Sequence, residues 1–232
     1  MKNLIKTLAI MLTIITLSAP LYSQTVLFDR KVKIDSVRGK WGKNLTNHFG
    51  VYGGFGFVAP VQQSTGAEII FGKASNLELG FIYKRRVFNW FAVGTRAYYE
   101  IFNYRIKQTA DKIFPDNSSS VKQKMVMQNA GFAPYLRFTF GRHGNIIGTY
   151  LDLGVFYNIV LAEWQIQKGC ADGFDKKKLN YDYMNRAYWG YQAVLGRNMF
   201  SLFAKFNAAR VVKNSVSSVD MPPLTVGLRV SI

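Results

Sequence analysis

The chain has 232 residues and a formal net charge of +17, and 49% of its residues are hydrophobic. This composition excludes a disordered chain, and the single cysteine, Cys170, excludes an intramolecular disulfide. Charged residues make up only 19%, below the roughly 25% of a typical soluble domain, and 18 Phe with 13 Tyr favour strands over helices.

Residues 1–23 predict a cleavable secretory signal peptide. Lys2 and Lys6 precede an apolar stretch at 8–17, and Ser23 offers a small residue at the cleavage point. The alternative is an N-terminal membrane anchor, for which this apolar stretch is short, because a spanning helix needs about 20 residues. Export would make nucleic acid an unexpected partner for the basic chain. Anionic lipid and lipopolysaccharide of the bacterial outer membrane are the expected partners.

Residues 24–46 are expected to form a basic periplasmic leader, and residues 47–232 to form the folded domain. From Asn47 onward the side chains alternate between two faces with no helical period, which predicts antiparallel strands. Eight are expected, at about 48–59, 76–84, 93–101, 125–140, 151–159, 189–196, 201–208 and 224–232. A β-bulge is expected at Pro134, since proline cannot donate a hydrogen bond to a neighbouring strand.

The connections between these strands alternate in length. Long ones are expected at about 60–75, 107–122, 167–182 and 213–222, and Cys170 is interpreted as an incidental residue of the third. The three connections between them are short. Short turns at one end and long loops at the other are typical of outer-membrane barrels, which favours an all-β, eight-stranded antiparallel up-and-down transmembrane β-barrel. A soluble β-sandwich, in which the charged face of each sheet is exposed to solvent, is the main alternative.

One face of the predicted strands is apolar, whereas the other mixes glycine with charges. An eight-stranded barrel has an interior just wide enough for side chains, so charges inside it must be paired. We therefore expect an interior network in which Arg96, Arg137, Lys205 and Arg229 pair with Glu78, Glu100 and Asp152. The full inward set of charges is Glu78, Lys84, Arg96, Glu100, Arg137, Asp152, Lys205 and Arg229.

From Asn47 to Ile232 the chain resembles the small outer-membrane β-barrels of the OmpA/OmpX type. The resemblance rests on the strand pattern and on the final Leu224-Thr225-Val226-Gly227-Leu228-Arg229-Val230-Ser231-Ile232, which looks like the terminal strand read by barrel assembly machinery. Members of the family usually end in an aromatic residue, and here the last residue is Ile232. The resemblance implies an exported outer-membrane protein whose oligomeric state is left open.

No catalytic, metal or cofactor site is expected. The only histidines, His48 and His143, fall at the expected periplasmic end, away from an outward-facing lipid site. The leading hypothesis is a non-enzymatic barrel with a plugged interior. It would act as an envelope structural or interaction protein, or as an accessory of a secretion or surface-assembly complex. A narrow porin-like channel and a lipid A-modifying barrel enzyme are the alternatives.

Basic residues gather near the turns and loops. Solubility and anchoring at the membrane edge are one interpretation of these charges, and contact with lipid phosphates is the other. Lys84, Arg85 and Arg86 would then face anionic phospholipid on the inner side. The residues expected to contact lipopolysaccharide on the outer side are Lys122, Lys124, Lys176, Lys177 and Lys178.

Overall fold

The computed structural model describes residues 41–62, 66–109, 112–114, 120–141, 148–170, 176–179, 183–215, 217 and 219–232. Residues 1–40, which include the expected signal peptide and most of the expected leader, lie outside the described residues. The described residues are strands joined by turns and loops. No helix in this part of the chain is long and apolar enough to cross a membrane.

Nine strand segments form a single antiparallel sheet. They are β1 (Asn47–Ala59), β2 (Ser75–Arg86), β3 (Phe91–Ile106), β4 (Ser120–Phe140), β5 (Thr149–Cys170), β6 (Lys176–Leu179), β7 (Ala187–Arg197), β8 (Phe200–Asn207) and β9 (Leu224–Ser231). Eight of them close a ring in the order β1-β2-β3-β4-β5-β7-β8-β9, and β9 pairs with β1. The short β6 pairs with β5 between Trp164 and Gln167. The predicted eight-stranded, up-and-down antiparallel arrangement is therefore confirmed.

The two ends of the ring differ. At the turn end, β2 and β3 are joined by a tight turn in which the Val87 N–H donates to the Phe91 carbonyl at 3.1 Å. β7 and β8 are joined there by Asn198 and Met199, and Asn198 has a φ of 55°, a left-handed conformation that asparagine tolerates. The longer connections, which begin after β1, β3, β5 and β8, gather at the opposite loop end.

Two local expectations are wrong. The register of β4 with β3 and β5 continues unchanged past Pro134, which faces outward opposite Thr95. The irregularity lies instead at Gln128 and Asn129, where Leu161 of β5 is left without a partner. Cys170 is the last residue of β5 rather than a loop residue, because β4 and β5 continue pairing far beyond the other strands.

The interior continues into a packed cap at the loop end. Glu163 of β5 accepts the backbone N–H groups of Tyr183 at 2.9 Å and Met184 at 3.1 Å, which holds the segment leading to β7. Asp220 accepts the N–H groups of Val211 and Val212, at 3.1 and 2.9 Å. The buried apolar side chains of this cap are Ala67, Ile69, Phe114, Met125, Met127, Met184, Val211, Val212, Val219 and Met221.

Candidate functional site

Strand alternation sends every charged residue of the inward set into the ring. Successive side chains of a strand point to opposite faces, so each inward residue is flanked along its strand by outward ones. Seven of the eight charged side chains form two ion-pair clusters in the interior. They are Glu78, Arg96, Glu100, Arg137, Asp152, Lys205 and Arg229, all buried.

The first cluster holds one carboxylate between two guanidinium groups. Arg137 binds Asp152 with two nitrogens, Nε at 2.6 Å from Oδ1 and Nη2 at 2.8 Å from Oδ2. Arg96 donates to the same Oδ2 from its Nη2. The ring of Tyr135 lies 4.0 Å from the Arg96 guanidinium carbon, and the ring of Tyr150 lies 3.9 Å from that of Arg137. Asp152 thus binds two guanidinium groups, and each of these groups also lies against an aromatic ring.

The second cluster is a chain of four charges. Lys205 Nζ lies 2.7 Å from Glu78 Oε2 and 2.8 Å from Glu100 Oε1, so it bridges the two carboxylates. Arg229 Nη2 lies 2.9 Å from Glu78 Oε2, and the Tyr52 hydroxyl donates to Glu78 Oε1. Two carboxylates and two cations therefore balance one another within the apolar wall of the ring.

Neutral side chains extend the second cluster toward the loop end. Asn158 Nδ2 donates to Glu100 Oε2 at 3.1 Å and to the Tyr188 hydroxyl at 2.9 Å. The Tyr98 hydroxyl donates to Asn158 Oδ1 at 2.8 Å, and Asn129 Nδ2 donates to Tyr188 at 2.8 Å. Asn129 and Tyr188 were not expected in this network. The sequence could have indicated both, because strand alternation places Asn129 on the same face as Gly131 and Tyr188 on the same face as Gly190, which is the inward face.

The remaining expected site residues lie elsewhere. Lys84 is inward and buried at the turn end, where its Nζ donates to the Lys43 carbonyl at 2.6 Å. Lys122 and Lys124 lie on the outward face of β4. The backbones of Lys176, Lys177 and Lys178 pair with β5, and their side chains lie outside the described residues. His48 faces inward at the turn end, and His143 is outside the described residues.

A band of the outward face, below the cations at the loop end, is apolar on every strand of the ring. Large hydrophobic side chains are exposed there from β1 (Phe49, Val51, Phe55) through β5 (Leu153, Val155, Tyr157, Ile159) to β9 (Val226, Leu228, Val230). Aromatic side chains gather at the turn end, where Trp90 stacks on Phe88 at 6.1 Å and on Phe138 at 6.2 Å between ring centroids. The chain thus reverses the usual distribution, with ion pairs inside and apolar groups outside.

Within each interior cluster the charged side chains bind one another, and nothing in their geometry presents a nucleophile with a base. Within the described ranges, no group of three His, Cys, Asp or Glu residues could hold a metal ion. No protein-family model matches the chain, and no curated protein shows significant similarity to it. The two faces of the ring are therefore the features that bear on function.

Proposed function

We propose that this chain spans the bacterial outer membrane as a plugged β-barrel and serves there as a structural or interaction protein of the envelope. The observation that supports this is the apolar outward face, which continues around all eight strands of the ring. Soluble monomers rarely expose contiguous apolar patches larger than a few hundred Å². A closed ring leaves no unpaired strand edge, which is the condition for placing strands in hydrocarbon.

The height of the apolar face agrees with this proposal. On β5 the outward side chains are apolar from Leu151 to Leu161, and on β3 they run from Phe91 to Ile101 with a single threonine. Ten residue steps at about 3.3 Å span about 33 Å along the strand. A tilt of roughly 40° reduces this to about 25 Å, the height of the apolar band in outer-membrane barrels.

The filled interior argues against a channel. Ion pairs occupy the middle of the ring, and the cap packs over the loop end. Separating either cluster to admit a solute would leave charges unpaired in a low-dielectric interior, which costs several kcal/mol per ion. A barrel of this kind would act through the surfaces that it displays rather than by transporting a solute.

Membrane insertion is tested by fractionation of the full chain expressed with its own N-terminus. We expect the protein to remain with the membrane pellet after alkaline carbonate and to migrate faster on a gel when unboiled. Release into the supernatant together with heat-independent migration would contradict the proposal and favour a soluble sandwich.

Conduction is tested separately with purified protein in planar bilayers. We expect no steady conductance above the lipid baseline. Stable steps in the nanosiemens range would overturn the plugged interior and favour the narrow channel. An enzymatic role predicts instead an altered lipid A mass spectrum in a deletion strain, and we expect that spectrum to be unchanged.

A further inference from the structure

Four basic residues share the outward face of the sheet at the loop end, beyond the apolar face. They are Arg105 on β3, Lys122 and Lys124 on β4, and Lys168 on β5, and we name this group the basic ledge. Their neighbours along the strands, Tyr104, Gln123 and Met125, are buried on the inward side. The alternation therefore presents the ledge to the surroundings of the barrel.

The register places like charges directly opposite each other in the ledge. Arg105 is the cross-strand partner of Lys124, and Lys122 is the partner of Lys168. Like charges in such positions destabilise a sheet. Since two such pairs are adjacent, the ledge concentrates positive charge at a cost to the fold.

Carboxylates within the described part of the chain do not neutralise three of the four cations. None forms an ion pair with Arg105, Lys122 or Lys124. Glu68 lies on the segment whose Ile70 N–H donates to the Arg105 carbonyl, but its carboxylate binds Lys107 at 3.0 Å. An anion from outside the chain would relieve the repulsion.

The ledge lies at the height of lipid headgroups in the proposed orientation. Arg105 follows Ile101, the last apolar outward residue of β3, by four positions. That is about 13 Å along the strand, or about 10 Å of height at a tilt near 40°. Trp164 and Ile166 of β5 are partly exposed on the same face, and the backbone of Lys177 pairs opposite Ile166. Apolar and cationic side chains thus lie side by side at the loop-end limit of the apolar face.

We propose that the basic ledge binds the phosphate groups of an anionic glycolipid of the lipid A class, an inference that rests on the proposed membrane-spanning function. An arginine fork and several lysines suit phosphate oxygens. A headgroup with two phosphates can contact the Arg105–Lys124 pair and Lys122 at once, whereas phosphatidylglycerol brings one phosphate. This difference favours the glycolipid over a phospholipid with a single phosphate.

The test compares charge reversal in the ledge with charge reversal elsewhere. The full chain in detergent is titrated with fluorescent bisphosphorylated lipid A, with monophosphoryl lipid A and with phosphatidylglycerol. Arg105→Glu/Lys124→Glu is expected to weaken binding of bisphosphorylated lipid A about tenfold or more, since each surface cation contributes about 1 kcal/mol toward anionic lipid. Arg186→Glu/Arg197→Glu, with the same change in net charge at the two ends of β7, should stay within about twofold.

Three results would overturn the ledge as a lipid A site. They are equal loss in the matched control, no loss in the ledge variant, and phosphatidylglycerol binding as tight as that of bisphosphorylated lipid A. Heat-dependent gel migration of every variant reports folding independently. Normal migration without a loss of binding refutes the ledge alone, whereas absence of heat-dependent migration in the parent chain contradicts the proposed function itself.

A single substitution supplies a second measurement that does not depend on lipid affinity. Lys124→Glu turns the like-charge pair with Arg105 into an opposite-charge pair. We expect it to raise the urea midpoint of unfolding in neutral vesicles and to reduce the additional stabilisation that lipid A gives the parent. A lower midpoint, with lipid A stabilising both proteins equally, would refute the account of the ledge.

Discussion

Removing the carboxylate of Asp152 should destabilise the fold more than any change at an exposed ion pair. Asp152→Asn leaves Arg96 and Arg137 buried without an anion. Asp152 is wholly buried and the guanidinium side chains are 3% and 4% exposed, so solvent cannot replace the lost partner. Breaking a buried pair of this kind costs about 3–5 kcal/mol.

The assay is equilibrium urea unfolding in lipid vesicles, followed by tryptophan fluorescence, with Glu68→Gln as the control. The pair of Glu68 with Lys107 is 35% and 55% exposed, so its loss should cost no more than about 1 kcal/mol. The triple variant Arg96→Met/Arg137→Met/Asp152→Leu should recover most of the stability, since buried ion pairs are often replaceable by apolar groups.

A cost for Asp152→Asn no larger than that for Glu68→Gln would contradict a buried ion pair at Asp152. A coupling energy near zero in a double-mutant cycle between Arg137 and Asp152 would contradict it equally. Either result would mean that water reaches the first cluster and that the interior is not plugged at this level.

Three further changes probe the interior, the outward face and the cap. Gly131→Ala should cost about 1–3 kcal/mol in the same urea assay, because a Cβ there would overlap the Tyr98 ring. Gly53→Ala, whose Cβ would lie 3.3 Å from the nearest side-chain atom, should be nearly neutral, and equal costs would contradict this packing. Leu153→Arg should cost about 2–4 kcal/mol in vesicles, and a neutral result there would contradict lipid contact at mid-height. Asp220→Ala should speed hydrogen exchange at Val211 and Val212, while unchanged exchange would mean that the cap is held otherwise.

The faces of the strands were predictable because the side-chain period of a strand is two. Alternation alone placed Glu78, Asp152 and Arg229 inside and Leu153 outside, and the structure has them so. The partner of each charge was not predictable. It depends on how neighbouring strands are staggered around the ring, and no local pattern reports that stagger.

The loop end was predicted least well. Connections near 60–75 and 213–222 were expected only as loops, whereas Ile69 and Val219 pack in the cap. The extension of β5 to Cys170 was missed because Gln167 and Lys168 are successive polar residues followed by Gly169, so the alternation that continues through Trp164 and Ile166 ends there. The bulge was assigned to Pro134 from its missing donor, but Pro134 keeps the register.

The basic ledge illustrates the same limit. Lys122 and Lys124 were singled out from the sequence, but Arg105 and Lys168 were not. These residues lie far apart along the chain, and only the pairing of β3, β4 and β5 makes them neighbours. A register shift of one residue would turn the cations of a strand to the opposite face.

Closing the ring requires one pairing between strands that are distant in sequence, and this pairing is expected to be the slowest step of folding. Seven of the eight neighbouring pairs in the ring join strands that follow one another in the chain, apart from the short β6. The eighth joins β1 to β9, the first and last strands, through pairs such as Tyr52 with Ser231. Contacts so distant in sequence form slowly. Until β9 arrives, β1 keeps an unpaired edge that could accept a strand from another chain, so a nascent barrel needs protection at this one seam.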